Sequence, residues 1–180
     1  HIEAMTALAA LPGVPAVYFC HGTQPWEEMP PVFPRIRRYA AVSVVCRERV
    51  VNEARVPRED VRLAFNFVDM ERFQPRGPLP PSPRRALVFS NYASEQNYLG
   101  AVREACAQSG IGVDVRGSTA GNPDGEPWKL LPQYDLVFAK GRAALESLAV
   151  GCAVVLCDAS GLGPMVSMRN FGELRPVNCG

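Results

Sequence analysis

The sequence predicts an α/β fold built on parallel sheets. Short apolar runs of strand length recur along the chain, helix-forming segments alternate with them, and the links between are short and rich in Gly, Pro, Asn and Asp. Strand–helix–strand repetition of this kind produces parallel sheets covered by helices. Composition fits a globular chain: 47% of the 180 residues are hydrophobic and the net charge is +1. A disordered tail carries fewer apolar residues and more net charge. Nucleic-acid binders carry a bulk positive charge that this chain lacks, so no nucleic-acid partner is expected. The longest apolar run, Leu148 to Cys157, is broken by Gly151 and followed by Asp158. It is too short for a membrane span, which takes about 18 apolar residues, and a soluble, cytoplasmic protein is expected.

The elements read in order as follows. Ala16 to Cys20 is a buried strand between Pro15 and His21-Gly22, and Pro25 to Pro34, with four prolines, is an irregular loop. Ala40 to Val45 is a second strand. Arg47 to Arg55 is a helix with Val50, Val51 and Ala54 on one side, stopped at Pro57. Val61 to Phe65 alternates as a third strand. The pattern restarts with a strand at Ala86 to Phe89 and a helix at Ser94 to Ser109, which carries Tyr98, Leu99, Val102 and Cys106 on one face and ends at Gly110. Ile111 to Val115 is a strand and 117–127 a Gly/Pro/Asn/Asp loop. Strand Leu136 to Phe138, helix Arg142 to Val150 with Gly151 as stop, and strand Ala153 to Leu156 complete the series.

Proline divides the two series. It occurs 17 times, above the average of about 5% of residues, and five of these fall between Pro75 and Pro83. The expected organisation is therefore residues 1–74 as the end of an amino-terminal Rossmann-like domain, 75–84 as a hinge, and 85–180 as most of a second one. Two complete domains of this type need roughly twice 100–150 residues. A sequence of 180 residues that opens on His1 is thus expected to be the middle of a larger protein. The six cysteines form no C-x-x-C pair and only two histidines are present, so zinc spacing is absent. A reduced compartment with the thiols acting as small apolar side chains is expected.

The segment from Asp135 to Leu156 carries the most chemistry. In open α/β sheets, ligands lie beyond the carboxyl ends of strands, against helix N-termini. Lys140-Gly141-Arg142 falls there. Two cations oppose the helix dipole at that position unless an anion such as a diphosphate joins them and takes up the free backbone N–H groups; long side chains pointing into water are the plainer account. Glu146 follows on an otherwise apolar helix. Its carboxylate can accept two hydroxyls side by side, as the vicinal diol of a ribose offers, or pair with Arg142 one turn back.

This segment resembles the nucleotide-binding segment of the large retaining glycosyltransferase family of the GT-B fold. The family reads as an acidic residue, a strand, a glycine, then an L-E-A-x-A-x-G-x-P-V-V-like helix and strand. Leu145-Glu146-Ser147-Leu148-Ala149-Val150-Gly151-Cys152-Ala153-Val154-Val155 matches it, and Asp158-Ala159-Ser160-Gly161 continues like that family's glycine loop. Val56-Pro57-Arg58-Glu59-Asp60-Val61 and Asn66-Phe67-Val68-Asp69-Met70-Glu71-Arg72-Phe73-Gln74-Pro75 resemble its G-V-P-x-E-K-V and N-G-V-D-x-x-x-F-x-P segments. Ser43 stands where it has a V-S pair, and His21-Gly22 where its first-domain strand ends.

The resemblance implies a transferase that moves a sugar from a nucleotide-sugar donor to an acceptor glycan, lipid or small molecule. Glu146 would hold the ribose, Gly141, Gly161 and neighbouring backbone would line the diphosphate, and His21 would serve catalysis near the reacting sugar. Helix N-termini and cations would stabilise the departing diphosphate, with no cofactor and no metal. This sequence departs from the pattern at two places. Phe138 replaces a second carboxylate eight residues before Glu146. Ser90-Asn91-Tyr92 follows the first strand of the second domain in place of a G-R pair, so Asn91 would face the donor while Lys140 and Arg142 take over the phosphate role. The readings kept beside transfer are a nucleotide-sugar epimerase of the same fold and a non-catalytic nucleotide-sugar-binding module. Arg35, Arg37 and Arg38 beside Phe33 and Ile36 could meet an anionic membrane surface peripherally, a solvated loop being the simpler account.

Overall fold

The computed structural model describes residues 2–23, 26–118, 121 and 125–180. His1, Pro25 and the middle of the expected 117–127 loop (119, 120 and 122–124) lie outside the described residues. The chain divides into two compact units, the first ending at Asn66 and the second running from Phe67 to Gly180. Both carry a parallel sheet with helices, so the α/β, Rossmann-like class read from the sequence is the one the chain adopts. No described helix is long and apolar enough to cross a membrane.

In the first unit, helix α1 (Ile2–Ala10) precedes strand β1 (Ala16–Cys20), β2 (Ile36–Ala41), helix α2 (Val44–Glu53) and β3 (Val61–Leu63). The sheet order is β1-β2-β3, all parallel. Its core gathers Leu8, Cys20, Tyr39, Ala41, Cys46, Val50 and Val61. The second strand lies earlier than the apolar run 40–45 suggested. Ser43 has left the strand and caps α2, its Oγ accepting the Cys46 N–H at 3.1 Å; the apolar residues on either side of it belong to two different elements. Arg35 is not a free membrane-facing cation. Its guanidinium donates to the carbonyls of Leu8, Leu11 and Val14 at the end of α1, where a cation complements the helix dipole. Arg37 and Arg38 are exposed on β2, at a bulge where Ala16 pairs with Ile36 and Val17 with Arg38.

The second unit holds β4 (Arg85–Phe89), α3 (Leu99–Gln108), β5 (Gly112–Arg116), the short α4 (Pro127–Leu130), β6 (Leu136–Ala139), α5 (Gly141–Val150), β7 (Ala153–Asp158), β8 (Gly161–Met165) and the short α6 (Phe171–Leu174). The sheet order is β5-β4-β6-β7-β8, parallel except for β7–β8. The helix expected from Ser94 starts at Leu99. Asn97 Oδ1 accepts the N–H groups of Ser94 (3.0 Å) and Tyr98 (2.7 Å), holding 94–98 as a turn.

Residues 67–76 pack on this second unit, so the proline stretch at 75–84 lies inside it rather than between the units. Phe73 is buried in its core, edge-on to Trp128 at 6.1 Å. Arg76 pairs with Asp135 at 2.9 Å and reaches the Tyr134 carbonyl. Asp135 also accepts the Arg84 N–H at 2.8 Å. That backbone hydrogen bond, assisted by Arg76, holds its carboxyl below the usual aspartate range. The acidic residue that opens the motif is therefore a staple at the amino end of the sheet.

Candidate functional site

The strand order of the second sheet reverses at β4: the next strand, β5, lies on one side of it and β6 on the other. In open parallel sheets the crevice for ligands forms at such a reversal, beyond the carboxyl ends of the strands. Ser90, Asn91 and Tyr92 leave β4 there, Lys140 and Gly141 leave β6, and Gly117 leaves β5. Gly117 has φ +145, and a Cβ on it would lie 2.1 Å from the Ser90 carbonyl oxygen. Only glycine lets the β5 end close against β4 this tightly. Asn91 Oδ1 accepts from the Ser118 N–H (2.9 Å) and Oγ–H (3.1 Å), tying the two strand ends together.

Lys140 bridges the reversal. Its Nζ stands over the Tyr92 ring, 5.2 Å from the centroid. Asp158, at the end of β7, is held below the usual aspartate range mainly by Ser160, whose hydroxyl (2.5 Å) and N–H (2.8 Å) both donate to Oδ1, with Lys140 adding a smaller push. The crevice thus brings together Asn91, Tyr92 and Lys140, with Asp158 within electrostatic reach of the lysine.

Helix α5 starts here, and its first turn differs from a free phosphate cradle. Gly141 has φ +58, a backbone conformation that favours glycine, and its N–H donates to the Cys179 carbonyl at 3.1 Å. Gly180 packs against the Lys140 side chain. The Gly141 N–H expected to face a diphosphate is thus engaged within the chain. Arg142 is exposed, and its Nε donates to Glu146 Oε1 at 2.7 Å, the one-turn pair that the sequence allowed. Glu146 itself is buried, only 5% exposed. Burial raises its carboxyl above the usual glutamate range, and Arg142 offsets part of that rise.

Gly161 is placed differently. It closes a tight hairpin after Asp158 and opens β8, so the expected glycine loop is a turn between antiparallel strands. With Leu162, Pro164, Leu174 and Val177 it lines a cleft of about 250 Å³, which shares Asp158 with the crevice. Lys140, Arg142, Glu146 and Asn91 do not line that cleft. Phe138 is buried within the sheet layer, against Tyr98 and Cys157. His21 belongs to the first unit. It is exposed just past the end of β1 and stacks on Phe19 with centroids 6.3 Å apart.

Tyr92 and Asp158 complete the crevice, although the sequence did not single out either as a binding residue. An aromatic immediately after a strand end, opposite a lysine after the neighbouring strand, was the available signal. Among the described residues, no group of three His, Cys, Asp or Glu side chains could hold a metal ion.

No protein-family model matches the sequence, and no curated protein matches it. Among solved structures, the chain is similar to a glycosyltransferase from Rickettsia africae ESF-5, with 14% identity and a TM-score of 0.46. The match covers 69% of this chain and 45% of that one, so the chain spans less than half of the structure it matches.

Proposed function

We propose that the second unit binds a nucleotide sugar and that the chain belongs to a glycosyltransferase of the GT-B type. The observation that supports this most is the location of the motif-bearing segment. It leaves β6 at the point where strand order reverses, with Lys140 over Tyr92 and the Glu146 carboxylate buried one helical turn beyond Arg142. A buried carboxylate costs stability unless it is paired. Here one oxygen takes the Arg142 hydrogen bond, and the ribose diol would supply further donors. Lys140 would face the diphosphate and, with Arg142, carry the charge that stabilises its departure. The fixed dipoles would come from α5 beyond the engaged Gly141 N–H. His21 would serve catalysis, with an acceptor glycan, lipid or small molecule as the second substrate.

Calorimetric titration with UDP, GDP and ADP tests the reading. Binding of one nucleoside diphosphate, weakened at least tenfold in Lys140→Ala and in Glu146→Gln, is the expected result. Absence of binding by the parent chain overturns it. Incubation with the matching nucleotide sugar and an acceptor then separates transfer from epimerisation. Binding without turnover of either kind favours the non-catalytic module, for which Phe138 in place of a second carboxylate is the specific observation.

A further inference from the structure

Two of the six cysteines meet in the first unit. Cys20 ends β1 and Cys46 lies in the first turn of α2, and both side chains are fully buried. Both thiols converge on one acceptor, the Gly22 carbonyl oxygen, at 3.5 Å from Cys20 Sγ and 3.8 Å from Cys46 Sγ. The loop that carries this carbonyl thus lies across the pair, and His21 on the same loop is exposed.

The two thiols are not equivalent. A hydrogen bond from Cys20 favours the Cys46 thiolate, and Ser43 and Arg49 assist it against burial, so Cys46 is drawn well below the ordinary thiol range. Cys20, as the donor of that bond and as a buried group, is pushed up. Tyr18 and Glu28 complete the titratable surroundings. The thiols of Cys106, Cys152, Cys157 and Cys179 are pushed up by burial, which disfavours the nucleophilic form.

We propose that Cys20 and Cys46 form a reversible disulfide with a peroxide as oxidant, and that this modification governs the His21–Gly22 loop. The Cys46 thiolate attacks a peroxide oxygen, the O–O bond breaks, and the released hydroxide becomes water on taking up a proton. Cys20 sulfur then attacks the resulting sulfenic sulfur, the S–O bond breaks, and a second water leaves with the Cys20 proton. Two thiols and one hydrogen peroxide thus give one disulfide and two waters. A disulfide has no S–H, so the Gly22 carbonyl loses the thiol hydrogen that the reduced pair can offer it. This carbonyl is partly buried, and the loop shifts to bring it to water or to another donor. The effect on catalysis rests on the proposed role of His21; the disulfide does not.

The test uses the whole chain and hydrogen peroxide in small molar excess. After quenching, denaturation and alkylation, the free-thiol count is expected to fall by two, with peptide mass mapping locating the link between Cys20 and Cys46 and dithiothreitol restoring both thiols. Retention of all six thiols, a different pairing, or accumulation of sulfinic acid in place of a disulfide overturns the proposal. Cys46→Ala should slow peroxide-dependent thiol loss at least tenfold while leaving Cys20 alkylatable. Amide exchange at 21–23 is expected to rise at least tenfold on oxidation of the parent, and unchanged exchange would overturn the control of the loop. Thiol count and exchange require no nucleotide, so they stand or fall separately from the titrations above.

Discussion

Two carboxylates of the second unit respond to their surroundings in opposite directions. Glu146 is buried with one ionic partner and its carboxyl is raised; Asp135 is held by backbone N–H groups and Arg76 and is lowered. A raised carboxyl means that the folded state binds more protons than the unfolded one between the ordinary glutamate value and the folded value. Folding stability from Glu146 therefore declines as pH rises through that window. Glu146→Gln removes this decline, and thermal melts at pH 8 should show the variant at least as stable as the parent. Under the proposed function, the nucleotide affinity of this variant should nonetheless fall about 10- to 100-fold, as expected for a lost hydrogen bond to a charged group. Asp135 contributes in the reverse sense: its stabilisation is present above the ordinary aspartate value and is lost as pH falls through its depressed folded value. Asp135→Ala should cost about 3 kcal/mol in urea titrations, because it leaves the largely buried Arg76 without its ionic partner and the Arg84 N–H without its acceptor. A neutral effect would mean that Arg76 reaches water instead.

At the scale of elements, helix α2 depends on a single polar side chain at its start. Ser43→Ala removes the acceptor for the Cys46 N–H and should destabilise the first unit by about 1 kcal/mol, measured by chemical denaturation. The same serine explains what the sequence left unread. The run from Ala40 to Val45 is apolar throughout, and hydrophobicity alone does not say where β2 stops and α2 begins; a short side chain bonding its own backbone decides it. Strands β1, β4, β6 and β7 and helix α5 were legible because apolar runs of strand length or a helical face ended at Gly or Pro. Strand β8 was not. Gly161-Leu162-Gly163-Pro164-Met165 has little strand propensity, and only pairing with β7 makes it a strand. Of the candidate site, Glu146 was read from its place in the motif, Lys140 and Arg142 from their position at a helix N-terminus, and Asn91 from a departure from the pattern after the first strand of the second series. The closure of Gly141 by the Cys179 carbonyl was invisible, since it joins residues far apart in sequence through one backbone hydrogen bond.

For the whole molecule, the cores follow the division of the chain. Among the described residues, the cluster around Val50 and Cys46 draws on the first unit, and those around Leu87, Val137 and Val154 and around Val88, Val102 and Phe138 on the second. Leu87→Ala should cost about 3 kcal/mol and Val50→Ala about 2 kcal/mol. Each loss should fall on its own unit, so amide exchange in Leu87→Ala should accelerate across β4–β7 while β1–β3 keep their protection. Uniform acceleration across both sheets would mean that the two cores unfold as one.

The β7–β8 pairing has a consequence for how the second sheet meets other chains. A free strand edge is a template for further strands, and an exposed one invites intermolecular addition. Here the edge strand is short, its register with β7 is irregular between Val155 and Cys157, and Pro164 offers no N–H to an incoming strand. Strand addition past β8 is thereby disfavoured by the backbone itself, because the row of N–H groups that a further strand would pair with is interrupted at Pro164.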